Sequence, residues 1–523
     1  MLFNSYIFIF AFLPVTYLVY RILDRHFRAD VVLAWLVIAS LFFYGWWNPK
    51  YLFLILFSMA VNFVIGRKII DAPSKSSARL FVTLGVTLNL SLLAYYKYAN
   101  FFVDTLNSVV QTDFNLQRIF LPLAISFFTF QQIAYLVDIY RGDAERYKFR
   151  HYALFVTFFP QLIAGPIVHH REMLPQFQSL KKSDRTSDMV VGLTIFCIGL
   201  FKKTVLADGI ALYSTPLFDA AAGGDSLSLF NAWGAGLGYT LQLYFDFSGY
   251  SDMATGAARL FGIRLPINFD SPLKTTSIAE FWRRWHITLA RFMRDYVFIP
   301  LGGSRGGSIN RARNLFISMV LCGIWHGAGW TYIVFGLLHG TYLVINITWR
   351  SLLLRLGLNR LRSSLIYRYA SWMLTFGCWT IGLVIFRADD LPTAMRILSG
   401  MSGGNGAEIP NGIFVRLGPL RELLQGIGVE SYIGGGAAFS LLYVWIFVLA
   451  GIALLLPNVY QITARFNPVL DYEARAPNDT INPRVMPALE FKLNYRWMFA
   501  TALASTVGIL ALTSVSEFLY FQF

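Results

Sequence analysis

Two histidine-bearing segments stand out in a mostly apolar chain: Phe281-Trp282-Arg283-Arg284-Trp285-His286 and Gly323-Ile324-Trp325-His326-Gly327. An imidazole can take up and return a proton near neutral pH. At membrane depth an ionisable side chain is a functional-site candidate by default. His326 stands among small residues, which let a second backbone or a ligand approach closely. As a general base, neutral His326 would take the proton of an acceptor hydroxyl attacking a thioester or ester carbonyl. A structural histidine bonded to a carbonyl between helices is the plainer alternative. No serine or cysteine nucleophile motif accompanies it, and Cys322, four residues earlier, is weak support for a covalent route. His339 follows thirteen residues after His326. In one straight helix that is about 20 Å, a separation that a turn between them would change.

The elements that must hold these residues are membrane helices. Of 523 residues, 56% are hydrophobic and only 14% charged, well below the roughly 25% charged of soluble domains. We expect an all-α polytopic membrane protein, one integral domain over 1–523. The candidate spans are Leu2–Tyr20, Val31–Trp47, Tyr51–Gly66, Leu80–Tyr96, Ile119–Ile139, Met189–Phe201, Leu227–Phe247, Leu315–Trp330, Thr331–Trp349, Tyr369–Phe386, Gly434–Leu456 and Met498–Val515. Tyr152–Val168, broken by two prolines, reads as a re-entrant piece. The first span has no basic flank and is expected to remain as an anchor. The net charge of +15 fits cytoplasmic loops better than nucleic acid. The three cysteines have no metal-type or disulfide spacing, so no metal is expected.

Arginines and lysines follow the first, third and fifth spans, whereas the loops around Asn48-Pro49-Lys50 and 99–117 are poor in them. The positive-inside rule then puts the N-terminus outside and His286 near the cytoplasmic face. The stretches Arg259–Arg313 and Arg350–Arg368 are basic too. The intervening Leu315–Trp349 must therefore cross an even number of times, and about 35 residues are barely enough for two crossings, which points to a tight hairpin or a broken, partly re-entrant pair. His326 falls near its turn, deeper than His286. The Gly-rich stretch from Met401 to Gly436 would be an outer loop and Pro457–Arg496 an inner one.

Read as one helix, Ile278–Ile299 puts Trp282, Trp285 and Phe292 on one arc and Arg283, Arg284, Arg291 and Arg294 opposite, with His286 at the edge. Such a helix lies in the interface. The same arginines could attract a phosphorylated acyl donor, such as a coenzyme A thioester, entering from the cytoplasm. Trp285 would belong with that donor face. Asp246 and Asp252, at a span end, are either structural or orient an imidazole. His151, His169 and His170 beside arginines read as solvated or interfacial. Pro300–Gly307 lacks the ending of a phosphate-binding loop and reads as a turn.

Three ordered motifs accompany the histidines: Tyr244-Phe245-Asp246-Phe247-Ser248-Gly249-Tyr250-Ser251-Asp252-Met253, Gly262-Ile263-Arg264-Leu265-Pro266-Ile267-Asn268-Phe269, and Trp325-His326-Gly327. With these the chain resembles the membrane-bound O-acyltransferases, and within them the bacterial alginate O-acetyltransferase membrane subunits. The resemblance implies about 11 to 13 transmembrane or re-entrant helices around a central tunnel, which Trp325, Trp282 and His339 would line, with His326 as the essential histidine and His286 as the second family position. It implies acetyl transfer from a cytoplasmic donor across the bacterial inner membrane, with no bound cofactor. A periplasmic acetyltransferase or esterase-like partner would place the acetyl on an exopolysaccharide such as alginate. Relatives serving cellulose, peptidoglycan or teichoic acid share the motifs. A transporter for lipid-linked sugars would share the composition, but neither histidine motif recurs as internal repeats would require. A membrane scaffold for a polysaccharide synthase is a third possibility.

Overall fold

The computed structural model describes residues 1–143, 146–163, 165–179, 185–470, 472, 486–513 and 519. Helices dominate. In order they are α1 (Leu13–His26), α2 (Ala29–Gly45), α3 (Lys50–Ile70), α4 (Lys75–Leu93), α5 (Ala99–Val110), α6 (Ile125–Arg141), α7 (Phe149–Thr157), α8 (Phe159–Leu162), α9 (His170–Gln178), α10 (Arg185–Phe201), α11 (Asp208–Ala222) and α12 (Leu229–Leu260). There follow α13 (Ile278–Arg284), α14 (Ile287–Met293), α15 (Gly307–His326), α16 (Trp330–Arg355), α17 (Leu365–Arg387) and α18 (Leu391–Met401). Two short strands, β1 (Ala407–Pro410) and β2 (Val429–Tyr432), pair in parallel around α19 (Asn411–Phe414) and α20 (Pro419–Gly426). They lie within the stretch expected as an irregular outer loop. The chain ends with α21 (Gly436–Leu455), α22 (Val459–Ile462), α23 (Met486–Leu489) and α24 (Tyr495–Leu510).

A helix stands at each of the twelve expected spans. Among the described residues six helices are long and apolar enough to cross a membrane unaided, including 75–110 and 186–222. Those two depart from expectation. A π-helical turn (Ala94–Tyr98) joins α4 to α5, so helix continues to Val110 where a loop was expected. Another (Lys202–Ala207) joins α10 to α11, adding a helix the hydropathy reading did not separate. Of the expected inner loop, 473–485 lies outside the described residues.

The middle of the molecule is α12, buried along nearly its whole length. Its neighbour α10 approaches closely because glycines face glycines. A Cβ on Gly199 would stand 2.6 Å from the Gly249 carbonyl oxygen, and one on Gly256 would stand 2.5 Å from that of Gly192. Small residues are what allow helices to meet at this range without a hydrophobic driving force. Asp246 and Asp252 lie within α12 rather than at a span end, and neither meets an imidazole. Asp246 pairs with Lys203 at 2.7 Å and Asp252 with Lys202 at 2.7 Å, both lysines from the π-turn after α10. Buried carboxylates require such partners, and these two tie α12 to α10.

Candidate active site

The segment expected as one amphipathic helix is broken. Trp285 is extended and His286 sits at φ 42°, in the left-handed region, between α13 and α14. A non-glycine residue there is uncommon and costs conformational energy. The break turns His286 from the edge of an interfacial helix into the interior, where it is fully buried. Its Nδ1 lies 3.0 Å from Asn268 Oδ1. That oxygen also accepts from the Thr288 hydroxyl (2.9 Å) and backbone N–H (3.4 Å). It can only accept, so Nδ1 is the donor and Nε2 is left as the base nitrogen. Asn268 in turn donates to Ser251 Oγ at 3.3 Å, and the Phe247 ring meets the imidazole edge-on at 4.8 Å. Residues of all the expected motifs thus converge on one imidazole.

His326 closes α15, and α16 begins four residues later after two extended glycines. The hairpin is tight for a physical reason: a Cβ on Gly323 would stand 2.3 Å from the Tyr332 carbonyl oxygen and 2.8 Å from Gly336 Cα. His326 is buried, with Cys322 Sγ 3.8 Å from its Nε2. Trp325 links the two histidines: its ring centroid lies 6.2 Å from that of His286 and 5.1 Å from that of His326. The two imidazoles therefore share one aromatic neighbour. Because the chain turns at His326, His339 returns towards it. The Phe335 ring lies between them, 6.1 Å from His326 and 4.4 Å from His339. His339 Nδ1 accepts from Trp282 Nε1 at 3.4 Å, and a Cβ on Gly382 would come within 2.5 Å of its Nε2.

Two cavities involve residues of these segments. One, of about 280 Å³, reaches His326, Trp325 and Lys97 from the loops near Met1, Trp47 and Leu121, which are poor in basic residues. The other, of about 400 Å³, is lined by Arg283, Arg350, Arg362 and Arg368 with Glu280 and Trp349. Trp282, next to Arg283, packs on His339 at 5.5 Å.

The expected donor face is redrawn by these contacts. Arg284 pairs with Glu280 at 2.9 Å, Arg291 with Glu172, and Arg294 with Asp295 at 2.7 Å. The hydrogen-bonded Asp295 also raises the pKa of Arg294. The break at His286 separates α13, with Arg283 and Arg284, from α14 and the turn after it, with Arg291 and Arg294. Only Arg283 of the four lines the basic cavity. Trp285 is buried against Trp379, at 4.8 Å, and Phe269, at 4.9 Å. The remaining histidines are corrected as well: His151, His169 and His170 are all buried. His170 faces Asp138 at 3.3 Å, and Tyr296 bridges Asp138 (2.8 Å) and His169 (3.1 Å). No group of three or more potential metal-ligating His, Cys, Asp or Glu exists among the described residues.

The membrane-bound O-acyltransferase pattern matches residues 140–385, which contain both histidine motifs. A peptidoglycan O-acetyltransferase of Helicobacter pylori is 44% identical over 436 residues, covering 78% of this chain and 81% of that one. The chain belongs to the membrane-bound O-acyltransferase family. It is a multi-pass membrane acyltransferase. A probable alginate O-acetylase AlgI of Pseudomonas aeruginosa is 40% identical over 408 residues, covering 77% and 75%. A teichoic acid D-alanyltransferase of Streptococcus thermophilus is 32% identical over 239 residues, covering 43% and 57%.

The acyltransferase places one residue beside His326 that sequence reasoning passed over. Lys97, buried on the π-turn after α4, donates to the carbonyls of Trp325 (2.5 Å) and His326 (3.0 Å). The signal in the sequence was weak, because Lys97 directly follows the expected span Leu80–Tyr96, where a lysine is ordinary. Arg350, Arg362 and Arg368 were read only as charge that orients the loops.

Proposed function

We propose that this acyltransferase moves acetyl from a cytoplasmic thioester, acetyl-coenzyme A, across the bacterial inner membrane for O-acetylation of a cell-surface polysaccharide. The N-terminus would be periplasmic. The observation that supports this reading is the placement of the two cavities. His326 lines the one between loops poor in basic residues, and four arginines line the one beside the basic loops, where Arg283 is next in sequence to Trp282, whose ring meets His339. The arginine cavity suits the phosphates of the donor, since guanidinium groups bind phosphate with fixed geometry. Its acyl thioester would extend towards these rings.

There His326 takes the proton of the accepting hydroxyl as its oxygen attacks the acyl carbon. The carbon–sulfur bond breaks, and the departing thiolate leaves with a proton, regenerating the imidazole. His286, oriented through Asn268, would stand on the donor side of Trp325 and keep its Nε2 towards the transfer path. The accepting hydroxyl belongs to a periplasmic acetyltransferase or esterase-like partner, or to the polymer itself. Relatives named for alginate and for peptidoglycan both cover about three quarters of the chain, so both polymers are acceptors of the right chemistry.

Replacing His326 with alanine should abolish acetylation while the protein remains inserted. Mass analysis of alginate and peptidoglycan from cells carrying the variant reads the result and identifies the polymer. Unchanged acetyl content of both would refute the mechanism.

A further inference from the structure

We propose that Lys97 is a positioning residue for the transfer, fixing the His326 imidazole by holding the carbonyls that end its helix. The inference rests on the reading of His326 as the base. The last carbonyls of a helix have no partner within it and carry the negative end of its dipole. In α15 three consecutive ones are taken by a neighbouring segment. Tyr98 donates to Ile324 O at 2.7 Å, and Lys97 Nζ donates to Trp325 O at 2.5 Å and His326 O at 3.0 Å. The ammonium also lies 5.8 Å from the centroid of the Trp325 ring, the ring that touches both histidines.

Three further observations distinguish this from an ordinary interfacial lysine. The side chain does not snorkel to solvent, for Lys97 is about 9% exposed. Among the described residues no carboxylate forms an ion pair with it, so the helix end is its counter-charge. And it lines the same cavity of about 280 Å³ as His326. A hydroxyl or amide would suffice to cap a helix, whereas burying a lysine head group costs free energy whether it is held charged or forced to give up its proton. The expense is understandable where the capped residue must be held to within a fraction of an ångström. The π-turn makes the arrangement possible, since its extra residue brings Lys97 and Tyr98 together onto the end of α15; such bulges are frequent at functional sites.

The test uses the full chain in inside-out membrane vesicles, with acetyl-coenzyme A as the probe and thiol release as the readout. Lys97→Met keeps the aliphatic stem and removes the donors. Its kcat should fall about 100-fold, as for a displacement of about 1 Å, with KM for acetyl-coenzyme A within about threefold of the original. Lys97→Arg, which keeps charge and donors, should regain about tenfold of that loss. A kcat for Lys97→Met within threefold of the original would overturn the inference. So would equal losses in both variants that track a lowered melting temperature, the signature of packing alone. His326→Ala separates the two levels. Activity in that variant removes the base itself, whereas an inactive His326→Ala beside an active Lys97→Met removes only the role of Lys97.

Discussion

Replacing Gly323 with alanine puts a methyl group where the two arms of the histidine hairpin already touch. The new carbon would lie 2.3 Å from the Tyr332 carbonyl oxygen and 2.8 Å from Gly336 Cα. Carbon atoms rest at about 3.5 Å or more, so α15 and α16 must part by about 1 Å. Both obstructing groups are backbone, and no rotamer change relieves them. Overpacking of this kind costs about 1–3 kcal/mol. The larger effect is geometric, because His326 stands one helical turn beyond Gly323. A displacement of about 1 Å at a reacting group costs on the order of 100-fold in rate. Gly377→Ala on the neighbouring α17 is the control, since nothing lies within 4 Å of its Cβ position. It should be neutral or stabilise by about 0.5–1 kcal/mol. Thermal melting in detergent and thiol release from acetyl-coenzyme A read the two effects separately. Turnover of Gly323→Ala within twofold of the original, with a melting temperature at or above that of Gly377→Ala, would show that the close crossing does not govern the site.

Two other substitutions address the donor side. Arg350→Glu, reversing one charge of the basic cavity, should raise KM for acetyl-coenzyme A at least tenfold and leave kcat within about threefold, as loss of a binding contact would; an unchanged KM would exclude that cavity as the donor site. Asn268→Ala removes the acceptor of His286 and Thr288 together, at a cost on the order of 2–4 kcal/mol. Turnover should fall at least tenfold once corrected for the folded fraction, and a purely proportional loss would show that Asn268 serves stability alone.

Helices were legible because apolar runs of spanning length leave few alternatives. The turn at His326 was legible too, since two basic stretches flank a segment barely long enough for two crossings; that it is a hairpin of two whole helices and not a re-entrant pair was not. The break at His286 was not. The apolar and basic residues of Ile278–Ile299 keep helical spacing on both sides of it, and nothing local marks a histidine for positive φ. What holds it there is Asn268, 18 residues earlier, and Ser251 and Phe247 on α12. The same applies to His170, read as solvated beside arginines, whose burial comes from Asp138 on α6. The arginine pairings follow this pattern: Glu172, which claims Arg291, is 119 residues away in sequence. Hydropathy reports which segments enter the bilayer, but contacts between segments decide which polar groups are already occupied.

The π-turn at Ala94–Tyr98 has a consequence for chain length. It amounts to one residue inserted in an otherwise continuous helix from Lys75 to Val110. Deleting a single residue there would let the hydrogen-bond ladder close without a gap, and hydropathy would hardly notice. Yet each residue advances a helix by about 100°, so all of α5 would swing by that angle relative to α4. Lys97 and Tyr98 could no longer both face the end of α15. In this segment the number of residues is constrained as tightly as their identity, and a one-residue gap would be a more damaging change than many substitutions.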